Sequence, residues 1–441
     1  MPKVILIQPT QYDPNTGKLL KYKRFFLPGL ALPLLAALTP TEWEVEIIYE
    51  TIENVDFDTK CDIVGVGTMG HSAYRAIEIA EEFRKRGKKV FTGGYITSMI
   101  PEELAQHVDS IVIGDAEVSY PQLLHDFITT GHIQTRYDYQ LTTLENIPMP
   151  RYNLLVKKRI GTMLPVQATR GCPNRCSFCC TACIYEGKYL TRPVEDIIRD
   201  IKEIKRLGYK SFYLVDDNIY GRKDFLQEFV RQVTPLKMKW SAQCTIEVAK
   251  DDELLRQLVA SGCKILGFGL ESISQKGVDL LNKSWVKTDK TSEYLAKIRK
   301  AGILLQAGFM LGTDADTTES MAAIYDFIVQ NKIAIPYIDI LTPVPGSNLF
   351  KQLQKQGRIL HSDFSQYNGY SCVHKPEKIS PNEVVYHLWS LNDKVFSISC
   401  ILKRTIFTKY FFTNPIYSIF TMVSNFYYRR NYKRRNASII F

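Results

Sequence analysis

The sequence predicts an α/β protein of two successive parallel-sheet units, an N-terminal doubly wound (Rossmann-like) domain and a partial (β/α) barrel, ending in a helical, aromatic and basic extension. Three observations predict it. Short β-branched runs alternate with helical patterns over residues 1–130. The same alternation resumes near residue 161, and charge and aromatic content change together near Lys394. At 441 residues the chain exceeds one core, since single cores stop growing at roughly 250–300 residues. A hydrophobic share of 45% is enough to fill two.

In the first unit, residues 1–130, the predicted strands are Val4–Gln8, Val45–Tyr49, Ile63–Gly67, Lys89–Thr92 and Ser110–Ile113. The segment Tyr74–Arg86 has helical spacing, with Ala76, Ile79, Ala80 and Phe83 on one face and Gly87 as its stop. Ligands of such sheets gather at the carboxyl ends of the strands. Residues 131–160, with Ile147-Pro148-Met149-Pro150, read as a linker. Residues 161–350 supply strands at Leu164–Ala168, Ser211–Val215, Lys239–Cys244, Ile265–Gly269, Leu304–Leu311 and Ile338–Leu341. Helices at Val194–Leu207 and Asp251–Ala260 separate them as in a barrel of parallel strands, whose active groups sit at strand ends.

The extension, residues 351–441, turns basic at Lys394, with nine Lys or Arg and no Asp or Glu from there on. That concentrates nearly all of the net +10, so the remaining surface carries no nucleic-acid footprint. Tyr410–Tyr428 is uncharged, but Asn414, Pro415, Ser418, Ser424 and Asn425 make it a poor membrane span. An interfacial or substrate-facing segment, touching a membrane surface through residues 394–441, is one expectation. Aromatics packed on the barrel is the other. Of ten cysteines, five fall between Cys172 and Cys183 and the rest are scattered, which is no secreted disulfide framework. With an N-terminal apolar run too short for a signal peptide, this predicts a cytoplasmic protein, peripheral at most to the inner face of the membrane.

The strongest motif is Arg170-Gly171-Cys172-Pro173-Asn174-Arg175-Cys176-Ser177-Phe178-Cys179, directly after an apolar strand. Three thiolates at this spacing on one loop can converge on an iron-sulfur cube. The motif resembles the radical S-adenosylmethionine (SAM) superfamily, and the resemblance implies a 4Fe-4S cluster on Cys172, Cys176 and Cys179 whose open iron chelates SAM. A zinc site on Cys176, Cys179 or Cys180, and Cys183, in a structural or interaction protein, is the alternative.

The same resemblance implies SAM contacts at Asp216 and Asp217, in Tyr213-Leu214-Val215-Asp216-Asp217-Asn218, and at Gly267, Gly269 and Glu271. The Gln306–Gly312 strand and the Pro343-Val344-Pro345-Gly346 turn are also similar to the family, whereas Asp314-Ala315-Asp316-Thr317 departs from it. In the first unit, Gly67, Thr68, Gly93, Gly94, Gly114 and Glu117 resemble the cobalamin-binding domain that precedes many radical SAM cores. No Asp-x-His-x-x-Gly is present, and Tyr95 stands where the usual histidine would follow Gly93-Gly94. Within the superfamily the chain is similar to the cobalamin-dependent branch of the hopanoid C-2 methylases. That implies reductive cleavage of SAM to a 5'-deoxyadenosyl radical, an electron donor such as flavodoxin or ferredoxin, and methylation of an unactivated carbon through methylcobalamin. The extension adds a hydrophobic, lipid-like substrate to this expectation. A radical SAM oxidoreductase or cyclase of the same architecture is the competing one.

Overall fold

The computed structural model describes residues 1–13, 16–25 and 27–435, so the last six residues of the extension lie outside the described residues. The first sheet contains β1 (Lys3–Gln8), β2 (Glu44–Tyr49), β3 (Ile63–Gly67), β4 (Lys89–Gly93), β5 (Ser110–Gly114) and β6 (Arg136–Tyr139). All pairs are parallel, in the order β2-β1-β3-β4-β5-β6. Helices cover both faces, which is why Val4, Ile5, Leu6 and Ile7 form an unbroken buried run instead of alternating.

The sequence places residues 131–160 in a linker, and the structure corrects this. Residues 136–139 add an edge strand to β5, and Leu144, Tyr152 and Leu155 are buried in the core. Arg-Tyr-Asp-Tyr carries no apolar run because only one residue of an edge strand, here Tyr137, turns inward.

The second sheet opens with β7 (Met163–Val166). An antiparallel pair, β8 (Thr169–Gly171) and β9 (Tyr189–Thr191), then brackets the cysteine loop. The sheet continues through β10 (Ser211–Leu214), β11 (Lys239–Gln243), β12 (Cys263–Glu271), β13 (Leu304–Leu311) and β14 (Ile335–Ile340). All six barrel strands are parallel, in the order β14-β13-β12-β11-β10-β7. The two end strands do not pair with each other, so the barrel is open. Its outer helices are amphipathic: in Val194–Arg206, Ile197, Ile201 and Ile204 all turn inward.

The extension folds as the helices Pro381–Val395, Ile398–Thr405, Lys409–Thr413 and Pro415–Lys433. It is anchored at the start of β14 by Arg404, whose buried guanidinium donates to Ile333 O (2.8 Å), Ala334 O (3.1 Å), Val395 O (3.0 Å) and Asn425 Oδ1 (3.0 Å). Tyr337 shares a sheet face with Gly269 and Gly308, and its hydroxyl meets that of Tyr428 at 2.7 Å. The extension therefore reaches the inner face of the barrel. No helix among the described residues is long and apolar enough to cross a membrane.

Candidate active site

The loop that follows β8 begins at Gly171, whose φ of +83° is open to glycine alone without strain. A Cβ there would also run into Lys188 O. From that turn the chain delivers Cys172, Cys176 and Cys179 to the mouth of the barrel. The loop is fastened from several sides. Ser177 N donates to Leu281 O (3.0 Å), Leu349 N to Ser177 O (2.9 Å), and Asn282 Nδ2 to Arg175 O (2.6 Å).

The run Asp216-Asp217-Asn218 at the end of β10 holds the same loop. Asp216, expected as a SAM contact, is buried and accepts the amides of Ala168 (3.1 Å) and Thr169. Burial pushes its carboxyl up to about 7, and its oxygens hold the backbone amides beneath the loop. Asp217 stays exposed at the mouth, accepting Thr181 Oγ1 at 2.8 Å and Gly171 N at 3.2 Å. Asn218 accepts Tyr220 N (3.1 Å) and Thr245 N (3.2 Å), and its Nδ2 points at Cys172 Sγ from 3.9 Å.

Burial raises all three thiols, Cys176 to about 11, and their thiolate forms repel one another. Three soft donors in this state stay protonated unless a metal centre takes the protons' place. Among the described residues no group of three or more His, Cys, Asp or Glu is arranged to hold a single ion. A cube presents different irons to its thiolates, so its ligands need no such common focus. The donor set suits a cluster on these grounds. Cys180 heads the helix Cys180–Tyr185, and burial pushes its thiol up to about 12.

One residue that sequence reasoning missed lies beside the thiols. Buried Lys283 donates to Glu271 Oε1 (2.8 Å) and Gly269 O (2.7 Å); burial opposes its charge, but Glu271 and then the thiolates of Cys176 and Cys179 outweigh this and raise its pKa. Glu271 has φ +63°, at a register shift in the β12–β13 pairing, a left-handed conformation that costs on the order of 1–3 kcal/mol outside glycine. The ion pair to Lys283 holds it there. Gly269 is open to the barrel interior, and a Cβ on it would meet Glu271 and Lys283. A Cβ on Gly267 would meet Gln243.

The carboxyl ends of the first sheet face the cysteine loop. Arg170 donates to Asp115 Oδ1 (2.6 Å), to Glu117 Oε1 (2.6 Å) and to Gln167 Oε1 (2.8 Å), while Tyr185 Oη donates to Asp115 Oδ1 (2.9 Å). Glu117, expected as a cobalamin contact, is thus tied to Arg170. Thr68 is buried and bonded to Gly93 O (2.9 Å) and Thr97 Oγ1 (2.7 Å). Gly94 (φ +112°) is forced by the Thr68 backbone, and Gly114 (φ +75°) by Tyr139 O. Gly67 and Gly93 are different, because a Cβ there would make only ordinary contacts at 3.6 and 3.5 Å. Nothing inside the protein requires glycine at either strand end, so their effect is a flat floor. Tyr95 Oη accepts Gly70 N at 2.7 Å and occupies the edge of that floor.

Inside the barrel, half-buried Asp339 of β14 sits opposite Met310 on the inner face. Burial, then the charge of Glu271, pushes its carboxyl up to about 7. Stability held by the neutral form is complete below about pH 4 and is lost as pH rises through about 7. Asp339→Asn is therefore expected to flatten the apo-protein's stability curve across that window. Thermal melts at a series of pH values would refute this if the slope were unchanged. Nearby, Tyr337, Tyr428, Phe396, Tyr432, Trp389 and Tyr370 form a continuous aromatic wall, with Phe396 joining Tyr428 to Tyr432.

Residues 166–328 match the model of the radical SAM superfamily. The chain is 30% identical over 407 residues to the bacteriochlorophyllide d C-8(2)-methyltransferase of Chlorobaculum tepidum, covering 88% of this chain and 90% of that enzyme. It is 25% identical to the hopanoid C-2 methylase of Rhodopseudomonas palustris, covering 86% and 73%. Its fold matches that of the radical SAM methyltransferase TsrM from Kitasatospora setae, solved with cobalamin and a [4Fe-4S] cluster, at a TM-score of 0.65 and 18% identity, covering 81% and 78%. The cobalamin-dependent radical SAM enzyme OxsB matches at 0.61 and 16% identity, covering 81% of this chain and 56% of that one.

Proposed function

The chain belongs to the radical SAM superfamily, and from that premise we propose that it is a cobalamin-dependent methyltransferase acting on an unactivated carbon of a large, hydrophobic substrate. The observation that carries this reading is the meeting of two strand-end faces across Arg170. A loop of three thiols, Cys176 buried and Cys172 and Cys179 half-buried, stands on one side and the Gly67–Gly93 floor on the other. When bound, the cluster with SAM supplies a carbon-centred radical oxidant, and cobalamin supplies the methyl group.

The chain's own residues provide binding, orientation and exclusion of water. Cys172, Cys176 and Cys179 would hold the 4Fe-4S cluster. Lys283 keeps a fixed positive charge beside two of those thiolates, offsetting their repulsion. Gly269 and Glu271, with Asp217 at the mouth, would receive SAM, and Gly67 and Gly93 would receive the corrin. Tyr95, which follows Gly93-Gly94, stands at the edge of this floor with its hydroxyl accepting from Gly70 N. Arg170 clamps the two faces together, which would set the spacing between the two cofactor sites. An electron donor such as flavodoxin or ferredoxin is required to reduce the cluster.

The hydrophobic substrate is supported by the aromatic wall around Tyr337 and Tyr428, which suits a broad apolar ring system. Relatives named for bacteriochlorophyllide d and hopanoids fit the same class. Asp339 in that wall is the polar group placed to accept a hydroxyl or amide of such a molecule. Contact with a membrane surface belongs to the same reading.

The test is anaerobic reconstitution with iron and sulfide, then dithionite, SAM and hydroxocobalamin, with 5'-deoxyadenosine read by mass spectrometry. Deoxyadenosine together with a retained corrin absorption band is the expected result. Deoxyadenosine without corrin would overturn the methyl-transfer reading in favour of an oxidoreductase or cyclase, and neither would overturn the whole.

A further inference from the structure

The helix Pro415–Lys433 is turned inside out relative to an ordinary surface helix. Its buried stripe is Ser418, Thr421, Asn425, Tyr428 and Tyr432, and the first three of these are 0% exposed. Its outward stripe carries Ile416 (77% exposed), Ile419, Phe420 and Val423, and Phe407 (67%) and Phe412 (83%) precede it on the same extension. A helix whose only neighbour is water buries its apolar stripe and shows its polar one. The inward polarity has its own reason. Asn425 receives Arg404 and donates to Ala334 O (2.8 Å), anchoring the helix to β14. The outward apolar residues meet no such internal demand.

The same outward stripe, continued at helical spacing, passes through Phe426 to Arg430, Lys433 and Arg434. A surface hollow there is lined by Phe426, Arg429, Arg430, Lys433 and Arg434. Exposed Lys403 and Lys409 lie on the neighbouring helices, and no acidic residue follows Lys394. One stripe thus grades from aliphatic and aromatic into basic.

We propose that this stripe seats the enzyme on an anionic bilayer surface, with Phe412, Ile416, Ile419, Phe420 and Val423 in the acyl boundary and the arginine-lined hollow at the phosphate headgroups. It deepens the apolar-substrate reading and rests on it only for its purpose, which is to let a membrane-dissolved substrate reach the aromatic wall. The gradation selects the occupant. A two-fold contact between copies would set cations against cations, or against the apolar half. A nucleic acid would leave Ile416, Ile419 and Val423 uncovered. A bilayer interface offers both environments at the required depths, since interfacial helices bury their apolar side by about 5–10 Å.

The experiment is co-sedimentation of the full-length protein with vesicles of phosphatidylcholine alone or mixed with phosphatidylglycerol. Binding to the mixed vesicles that weakens with added salt is expected, with slowed amide exchange over residues 412–423 on binding. Ile416→Ser with Phe420→Ser should weaken binding at least about tenfold, because burial of two such side chains drives insertion. Arg430→Gln with Lys433→Gln should weaken it roughly 25-fold, about fivefold per charge. All four positions are exposed, so folding is preserved. Equal partition onto neutral vesicles, full binding by both variants, a stripe-dependent dimer without lipid binding, or RNA binding in its place would each overturn the proposal. Vesicle binding needs no turnover, so failure of the deoxyadenosine test would leave it standing, and its own failure would leave the cluster chemistry standing.

Discussion

Replacing any one of Cys172, Cys176 or Cys179 with alanine is expected to abolish retention of iron and sulfide after anaerobic reconstitution, whereas Cys180→Ala retains both. The difference follows from placement. The first three thiols sit on the loop between Gly171 and the helix Cys180–Tyr185, close enough for the thiolates of Cys172 and Cys179 to repel each other and for both to act on Cys176. Cys180 begins the helix, and its thiol lies near enough to Tyr95 of the first domain to act on that phenol. A cube that keeps one iron open for SAM has three protein ligands and no spare, so the loss of one removes a third of its anchorage. Iron and sulfide assays on protein of unchanged circular dichroism decide the matter. Full retention in any of the three single variants would remove that cysteine from the site.

Arg170→Met is expected to loosen the first domain from the barrel and to cost on the order of 3–5 kcal/mol, the usual result of removing one partner from a buried ion pair. Its partners have nowhere to turn. The side chains of Asp115 and Glu117 are 2% and 8% exposed, so two carboxylates would remain buried without a counter-charge. Methionine fills a similar volume, so the loss is electrostatic rather than a cavity. The measurement is thermal unfolding combined with limited proteolysis between residues 140 and 160, where the chain passes from one sheet to the other. Adding Asp115→Asn and Glu117→Gln to the variant should restore part of the loss, because it removes the orphaned charges. A variant that melts and resists protease as the parent does would show that the clasp does not hold the domains.

The parts of this protein legible in its sequence are those set by local order along the chain. Buried parallel strands announce themselves as apolar runs, so ten of the twelve strands in the two large sheets lie where the β-branched segments put them to within a few residues, and a further one, Ile335–Ile340, overlaps its predicted span. The cysteine spacing is local as well, since eight consecutive residues carry the whole donor set. The edge strand Arg136–Tyr139 was hidden because a half-solvated strand needs only one inward residue.

What only the tertiary structure decided is which distant groups meet. Lys283 comes beside Cys176 through the register of β12 and the turn after it, with no pattern in Leu281-Asn282-Lys283-Ser284 to mark it. Arg170 looks like part of the cysteine motif, but its role is fixed by Asp115 and Glu117, more than fifty residues earlier. Asp216 reads as a ligand at a strand end, and the fold spends it on the amides of Ala168 and Thr169. The outward stripe of the last helix emerges only once Arg404 and Ala334 have claimed Asn425 for the interior. Hydrophobic periodicity records how each segment meets water, whereas hydrogen bonds and ion pairs between segments depend on the packing that brings them together.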